Sequence, residues 1–373
     1  MNPARPIAIW WGAFPPPFQK IVLRSSDTIR SELLGSLKLF AEVKDLGKEL
    51  LKVNGHQATT AAFLGFQAYI RQGCTFYEAA EVLHHRASPL NYYYAFLNFA
   101  KALILLRTPS FQDHNLQHGL TADSISSNTR KQSIIVKHNG VFPLFYRQVM
   151  GKHVAPQTKL TLASLFAYCQ DIGFEYHALK YGISRPMPCK FIVGMSGATN
   201  TAAPVIAIAG GPTKLTQALR SLLEKTFEQV EMPASTVRNV FNCLAHEQSA
   251  MAFYQGKKDY PVINNTTDLQ LIVNDVVLAL KGAISYTPFD DEFLFVLNPP
   301  ITPKRHEMNE TIAIYCSMFA LGSLVRYKPH LMEAMLLTKD AWLVERYVKS
   351  APITFLRHFR NLIDGNYFAY AGR

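Results

Sequence analysis

The chain has 373 residues, of which 49% are hydrophobic and only 17% charged, and its 38 Lys plus Arg against 27 Asp plus Glu give a net charge of +11. Disordered and fibrous chains are excluded, because so apolar a composition buries a sizeable core. The basic excess makes an anionic partner the first class to consider.

That excess is unevenly spread. Residues 1–100 carry a net +3, 101–190 carry +7, 191–300 carry −3 and 301–373 carry +4. The +7 segment predicts a basic face, and RNA or another polyanion as the partner it would hold, with affinity that falls as salt rises.

The N-terminus holds Trp10, Trp11, Phe14 and Phe18 around three prolines, Pro15 to Pro17. The apolar run before them is too short and Pro-broken for a leader peptide. An amphipathic segment follows over 27–53. Residues 58–86 read as mainly helical, with Phe63, Phe66, Ile70, Tyr77 and Ala80 at helical spacing. Gly73 inside that pattern weakens the case for one unbroken helix. Ser88 and Pro89 open the next helix, which runs to about Arg107 before Pro109.

Residues 108–140 are rich in Ser, Asn, Gln and His and read as a long polar loop of the kind that carries function. A helix is predicted over 156–180. The character then changes: 190–194 and 204–208 read as strands, 212–230 as a helix and 284–301 as a hairpin around Asp290 and Asp291. The C-terminal part is helical again. It has a broad apolar face from Ile312 to Val325 and a set of small residues, Ala313, Ser317 and Ala320, suited to close helix approach. Pro329 opens a further helix, and another is predicted after Pro352, ending at Gly365.

The five cysteines are scattered and form no CxxC pair, which fits neither a disulfide framework nor a zinc module and suits a reducing compartment. No stretch is continuously apolar over the roughly 18 residues that a membrane helix needs. The expectation is a cytoplasmic protein with no membrane segment, no metal and no cofactor. Gly194 to Asn200 lacks the Lys-Ser/Thr ending of a phosphate loop, and His246-Glu247 lacks the second His of a zinc peptidase helix.

The helix over 88–107 is apolar almost all round, as a central helix is. Yet Asn91, Tyr94, Asn98 and Lys101 are spaced by three, four and three residues. They fall within one arc of about 80° and mark a polar stripe on a buried helix. Buried polar groups need partners, so the stripe is either an internal network or the wall of a binding site, with Lys101 facing an anion. Arg326, Tyr327, Lys328 and His330 form a second polar knot between two C-terminal helices. That knot either caps a helix end or lines a site.

Residues 69–106, YIRQGCTFYEAAEVLHHRASPLNYYYAFLNFAKALILL, resemble the YaaC-like family of bacterial proteins, and so does FALGSLVRYKP at 319–329. The same helix, in YYAFLNFAKALIL at 93–105, also resembles the first long helix of HEPN domains. This resemblance implies a mostly α fold: a HEPN-like helical bundle with a smaller α/β insertion. On that scheme residues 1–60 pack on the core and 61–185 form the HEPN-like region. Residues 186–300 are then the mixed insertion, and 301–373 complete the core.

HEPN domains commonly dimerise, and many are metal-independent ribonucleases of toxin and antiviral systems. Their signature is Arg, four to six residues, then His. Arg107 and His114 fit it with a gap of six, and Arg147 and His153 repeat the spacing. Only the first pair directly follows the HEPN-like helix. The resemblance therefore implies Arg107, His114 and His118 as catalytic residues in a site formed across a dimer. His114 would move protons near neutral pH, and Arg107 would hold the phosphate. Asn91, Tyr94, Asn98, Lys101, Arg326, Lys328 and His330 are the expected substrate contacts. Pro109 departs from the family pattern by interrupting the motif. The competing expectation is a non-catalytic helical scaffold or sensor subunit of a larger assembly.

Overall fold

The structure is a computed structural model. It describes residues 2–3, 9–11, 18–22, 29–57, 59–111, 117–182, 186–196, 199–209, 215, 217–232, 251–261, 266–280, 284–286, 295–297, 308–365 and 367–371. The chain is mostly helical. It forms two compact units: a helical one of Arg24–Arg185 and Met308–Gly365, and a mixed one of Met1–Leu23, Pro186–Glu307 and Asn366–Arg373.

The helical unit is built around the helix Ser88–Arg107, with Pro89 in its first turn. Fourteen of its residues are buried, as its all-round apolar sequence requires. Four helices lie against it: Thr60–Glu81, Glu310–Tyr327, Val141–Met150 and Asp340–Asp364. The Thr59 hydroxyl accepts from the Ala62 amide and the Asn309 side chain from the Ile312 amide, so side chains cap the first two of these helices. Aromatic rings fill the centre, Phe96 stacking on Phe355 at 3.8 Å and Phe99 on Phe359 at 4.9 Å.

The helix Thr60–Glu81 runs unbroken through Gly73. A Cβ at that position would stand 2.5 Å from the Phe99 ring, so the glycine is there for close helix packing. The amphipathic segment over 27–53 forms two helices, Ile29–Glu42 and Lys44–Val53.

Three expectations are corrected. Pro352 does not start a new helix: it lies inside the continuous helix Asp340–Asp364. An internal proline costs about 3 kcal/mol. Burial of Val348, Phe355, Leu356 and Phe359 around it offsets that cost. The stretch 108–140 is not all loop. Leu120–Ser124 and Ser133–Val136 pair antiparallel, and Ser133–Val136 also pairs with Lys159–Thr161. The segment 156–180 accordingly begins as a strand, followed by the short helices Leu162–Phe166 and Gly173–Ala178. Its mixed polar and apolar order serves a sheet edge and two turns of helix rather than one amphipathic face.

In the mixed unit, Met187–Ser196 and Thr201–Ala209 pair antiparallel and contain both predicted strands. Met251–Gly256, Phe227–Glu231 and Ile9–Trp11 extend the same sheet, so the helix expected over 212–230 gives way to a strand at Phe227. Ile284–Tyr286 and Phe295–Leu297 pair antiparallel as the predicted hairpin requires, while Asp290 and Asp291 lie outside the described residues. Ile206 and Ile208, two residues apart on one face, pack with Leu219, Leu223, Val273 and Val276 of the helices Gln217–Thr226 and Thr266–Ala279. Separately, Phe18–Val22 pairs in parallel with Tyr367–Ala371.

Candidate functional site

The helices Ser88–Arg107 and Glu310–Tyr327 approach closely at one point. A Cβ on Gly322 would lie 3.3 Å from the Cα of Leu90. Tyr93 fills the space beside this contact, edge-on to Phe319 at 5.1 Å and to Tyr315 at 5.7 Å.

His118 reaches the same place from a different segment. Its carbonyl accepts the Phe142 amide at 3.0 Å, and the Gln117 carbonyl accepts the Val141 amide at 2.9 Å. Both bonds tie the strand approach to the start of the helix Val141–Met150. Gly119 and Gly140, at φ +79° and +127°, allow this crossing, since a Cβ on Gly140 would meet Gly119 Cα at 2.5 Å. The His118 ring is then held at Nδ1 by the Tyr93 hydroxyl, 2.7 Å away.

The result is a cleft of about 300 Å³. Leu90, Leu120 and Phe319 form its apolar part, and Tyr94, His118, Ser323, Arg326 and Tyr327 supply polar atoms and ring faces. None of the residues lining it is acidic. Arg326 Nη1 donates to the Tyr94 hydroxyl at 2.7 Å, and its guanidinium lies 5.1 Å from the centre of the Tyr327 ring. Burial pushes the His118 imidazole below its usual range, and the positive charges of Arg326, Lys101 and Lys137 push it further the same way. The cleft is therefore an electropositive place lined by aromatic rings, with a neutral histidine in its wall.

The expected site residues divide. Tyr94, His118 and Arg326 meet in the cleft. Lys101 contributes at longer range, and its ammonium lies 5.3 Å from the centre of the Tyr69 ring. Asn98 is buried and donates to the Tyr94 carbonyl at 2.8 Å, one turn back on its own helix. Asn91 is half-buried on the same helix. Lys328 is exposed and ends the helix Glu310–Tyr327, its amide donating to Leu324 and its carbonyl accepting from Leu331. His330 is exposed in the next helix, Pro329–Leu336.

Arg107 lies thirteen residues beyond Tyr94, about 20 Å along the helix. Its guanidinium donates to the carbonyls of Gln148 at 3.0 Å and Leu362 at 2.6 Å. His114 lies outside the described residues. Sequence reasoning missed Tyr93 and Ser323, and it placed Tyr327 in the polar knot without naming it as a substrate contact. Tyr93 stands in the run Tyr92-Tyr93-Tyr94, but helical spacing selects Tyr94 for the polar stripe. Only the position of His118 singles out its neighbour.

Among the described residues, no group of three or more His, Cys, Asp or Glu is placed to hold a metal ion, and no helix is long and apolar enough to cross a membrane. The family model described as YaaC-like protein matches residues 48–363. The chain belongs to the YaaC-like family. No curated protein and no solved structure matches it. The family match spans Tyr93, His118 and Arg326, so the three side chains that shape the cleft of this YaaC-like chain all fall within it.

Proposed function

We propose that this YaaC-like chain is a HEPN-like RNA-binding protein whose cleft between Tyr94, His118 and Arg326 holds the RNA. The observation that carries the reading is the pairing of a guanidinium and an imidazole with ring faces in a cleft that no carboxylate lines. Arg326 is the phosphate contact, being planar, permanently charged and exposed. Tyr94 and Tyr327 offer ring faces for unstacked bases, the way single-stranded RNA is usually recognised.

The same arrangement suits metal-independent cleavage. His118 takes the 2′-hydroxyl proton at Nε2, the 2′-oxygen attacks phosphorus, and the bond to the 5′-oxygen breaks as the imidazolium gives that proton to the leaving oxygen. The products are a 2′,3′-cyclic phosphate and a 5′-hydroxyl, and Arg326 balances the charge on the phosphorane. Arg326 is preferred to Arg107 for this task because Arg107 already serves two main-chain carbonyls. A homodimer and a toxin-type role in bacterial antiviral defence follow from the HEPN resemblance and belong to the same proposal.

The test is RNA binding over a salt series, with a cleavage assay in EDTA. Arg326→Ala is expected to weaken binding and to lower the slope of log affinity against log salt by about 1. His118→Ala is expected to abolish cleavage while RNA stays bound. If RNA binds at no salt concentration and is not cut, the helical scaffold or sensor becomes the better reading.

A further inference from the structure

We infer that the cleft binds a nucleoside phosphate monoester, such as a free mononucleotide or the phosphorylated end of an RNA, more tightly than the internal phosphodiester on which the proposed cleavage acts. The inference rests on the reading of the cleft as an anion site, and it names the unit that the site accepts.

Three observations carry it. The first is size. At about 300 Å³ the cleft stands at the lower limit of ligand sites, which run from about 300 to 1,000 Å³. That is room for about one nucleotide, not for several in a row. The second is charge. Arg326 lines the cleft, and Lys101 and Lys137 act on His118 in the same direction, while no lining residue is acidic. A terminal phosphate carries a charge of about −1.5 to −2 near neutral pH. An internal phosphodiester carries a single charge, so a cleft lined by a guanidinium and no acidic residue gains more from the monoester.

The third is the division of the lining. Tyr327 is 59% exposed and presents a ring beside the guanidinium, which sits 5.1 Å from its centre. A base stacked on that ring places its phosphate within reach of Arg326. Ser323 adds a hydroxyl, which donates to the Phe319 carbonyl at 2.8 Å and so offers the ligand an oxygen lone pair. The apolar side, Leu90 and Phe319, accommodates the sugar edge.

The experiment uses the full chain and four probes: adenosine 5′-monophosphate, adenosine, inorganic phosphate, and one RNA oligonucleotide made with a 5′-phosphate or a 5′-hydroxyl. Titration is expected to show the monophosphate binding at least about tenfold more tightly than adenosine. The 5′-phosphorylated RNA is expected to bind more tightly than its 5′-hydroxyl twin by a similar factor. Arg326→Ala is expected to erase both differences, and Arg326→Lys, which keeps the charge on an exposed position, to restore part of them.

If both RNA forms bind equally and the monophosphate does not compete, the inference is overturned while RNA binding stands. If the monophosphate binds and neither RNA does, the cleft is a free-nucleotide site. The inference then holds, and the RNA-binding reading fails. If Arg326→Ala folds normally and still prefers the monophosphate, the inference is overturned, because the preference then arises elsewhere.

Discussion

The Tyr93 hydroxyl and His118 Nδ1 lie 2.7 Å apart although 25 positions separate them in sequence. Burial holds the Tyr93 phenol far above its usual range, so it stays protonated. A phenol oxygen that accepts from Nδ1–H selects the imidazole tautomer with its lone pair on Nε2. His118 then presents a proton acceptor to the cleft while remaining uncharged.

The titration of His118 follows from that setting. Its folded value lies below the usual imidazole range of about 6.5, first through burial and then through Arg326, Lys101 and Lys137. A lowered histidine favours the folded state fully above pH 6.5 or so, and that contribution is lost as pH falls through the folded value. NMR titration of the ring is expected to give a midpoint below that of a free histidine. Arg326→Ala should move the midpoint up without restoring it, since burial is the larger cause. His118→Gln should flatten the acid side of a stability–pH curve between about pH 6.5 and the folded midpoint.

Arg107 is expected to matter for stability. Replacing it with Ala leaves the carbonyls of Gln148 and Leu362 without this donor. Denaturant unfolding should show a loss of about 1–3 kcal/mol. RNA binding by the folded variant should be unchanged. Lost cleavage at unchanged stability would instead return Arg107 to the catalytic role.

Gly73→Ala sets two effects against each other. Alanine favours a helix over glycine by about 1 kcal/mol. The added Cβ would stand 2.5 Å from the Phe99 ring in a packed core, and overpacking costs about 1–3 kcal/mol. A net loss of stability is expected from thermal or denaturant unfolding, and adding Phe99→Leu should recover part of it.

Glu310 is buried, accepts the Gln170 amide at 2.8 Å and lies 3.3 Å from His358 Nε2. Burial raises its carboxyl above the usual range. A raised carboxyl favours folding below the unfolded value, and that contribution is lost as pH rises through the folded one. Glu310→Gln keeps an acceptor for Gln170 and removes the charge, so it should gain stability relative to the parent as pH rises from about 4 to 7. Glu310→Ala should lose about 1–3 kcal/mol at either pH, because it strands the Gln170 amide.

The helices that organise this unit are legible in the chain. Pro89 and Pro329 mark two starts, Gly365 marks an end at φ +75°, and the all-round apolar run after Asn91 identifies the central helix. The polar stripe on that helix is also legible from spacing, and Tyr94 of that stripe lines the cleft. Pro352 misleads, because the local penalty of an internal proline is visible in sequence while the burial that offsets it is not. The Arg-to-His spacing says less than the polar stripe, and its His114 lies outside the described residues. That spacing measures distance along the chain, and Arg107 turns toward carbonyls 41 and 255 positions away.

By itself, then, the sequence determined the basic, apolar character of the protein, its family, its main helices and the residue types that can meet an anion. Periodicity, capping residues and charge are local or additive properties, which a chain displays without folding. Only the tertiary structure decided which of those residues share a site. Tyr94 and Arg326 are 232 positions apart and meet at 2.7 Å. They do so because Gly322 lets two helices close on Leu90 and because two glycines carry His118 across to Tyr93. Contacts of that kind depend on packing between distant segments, and no spacing within either segment encodes them.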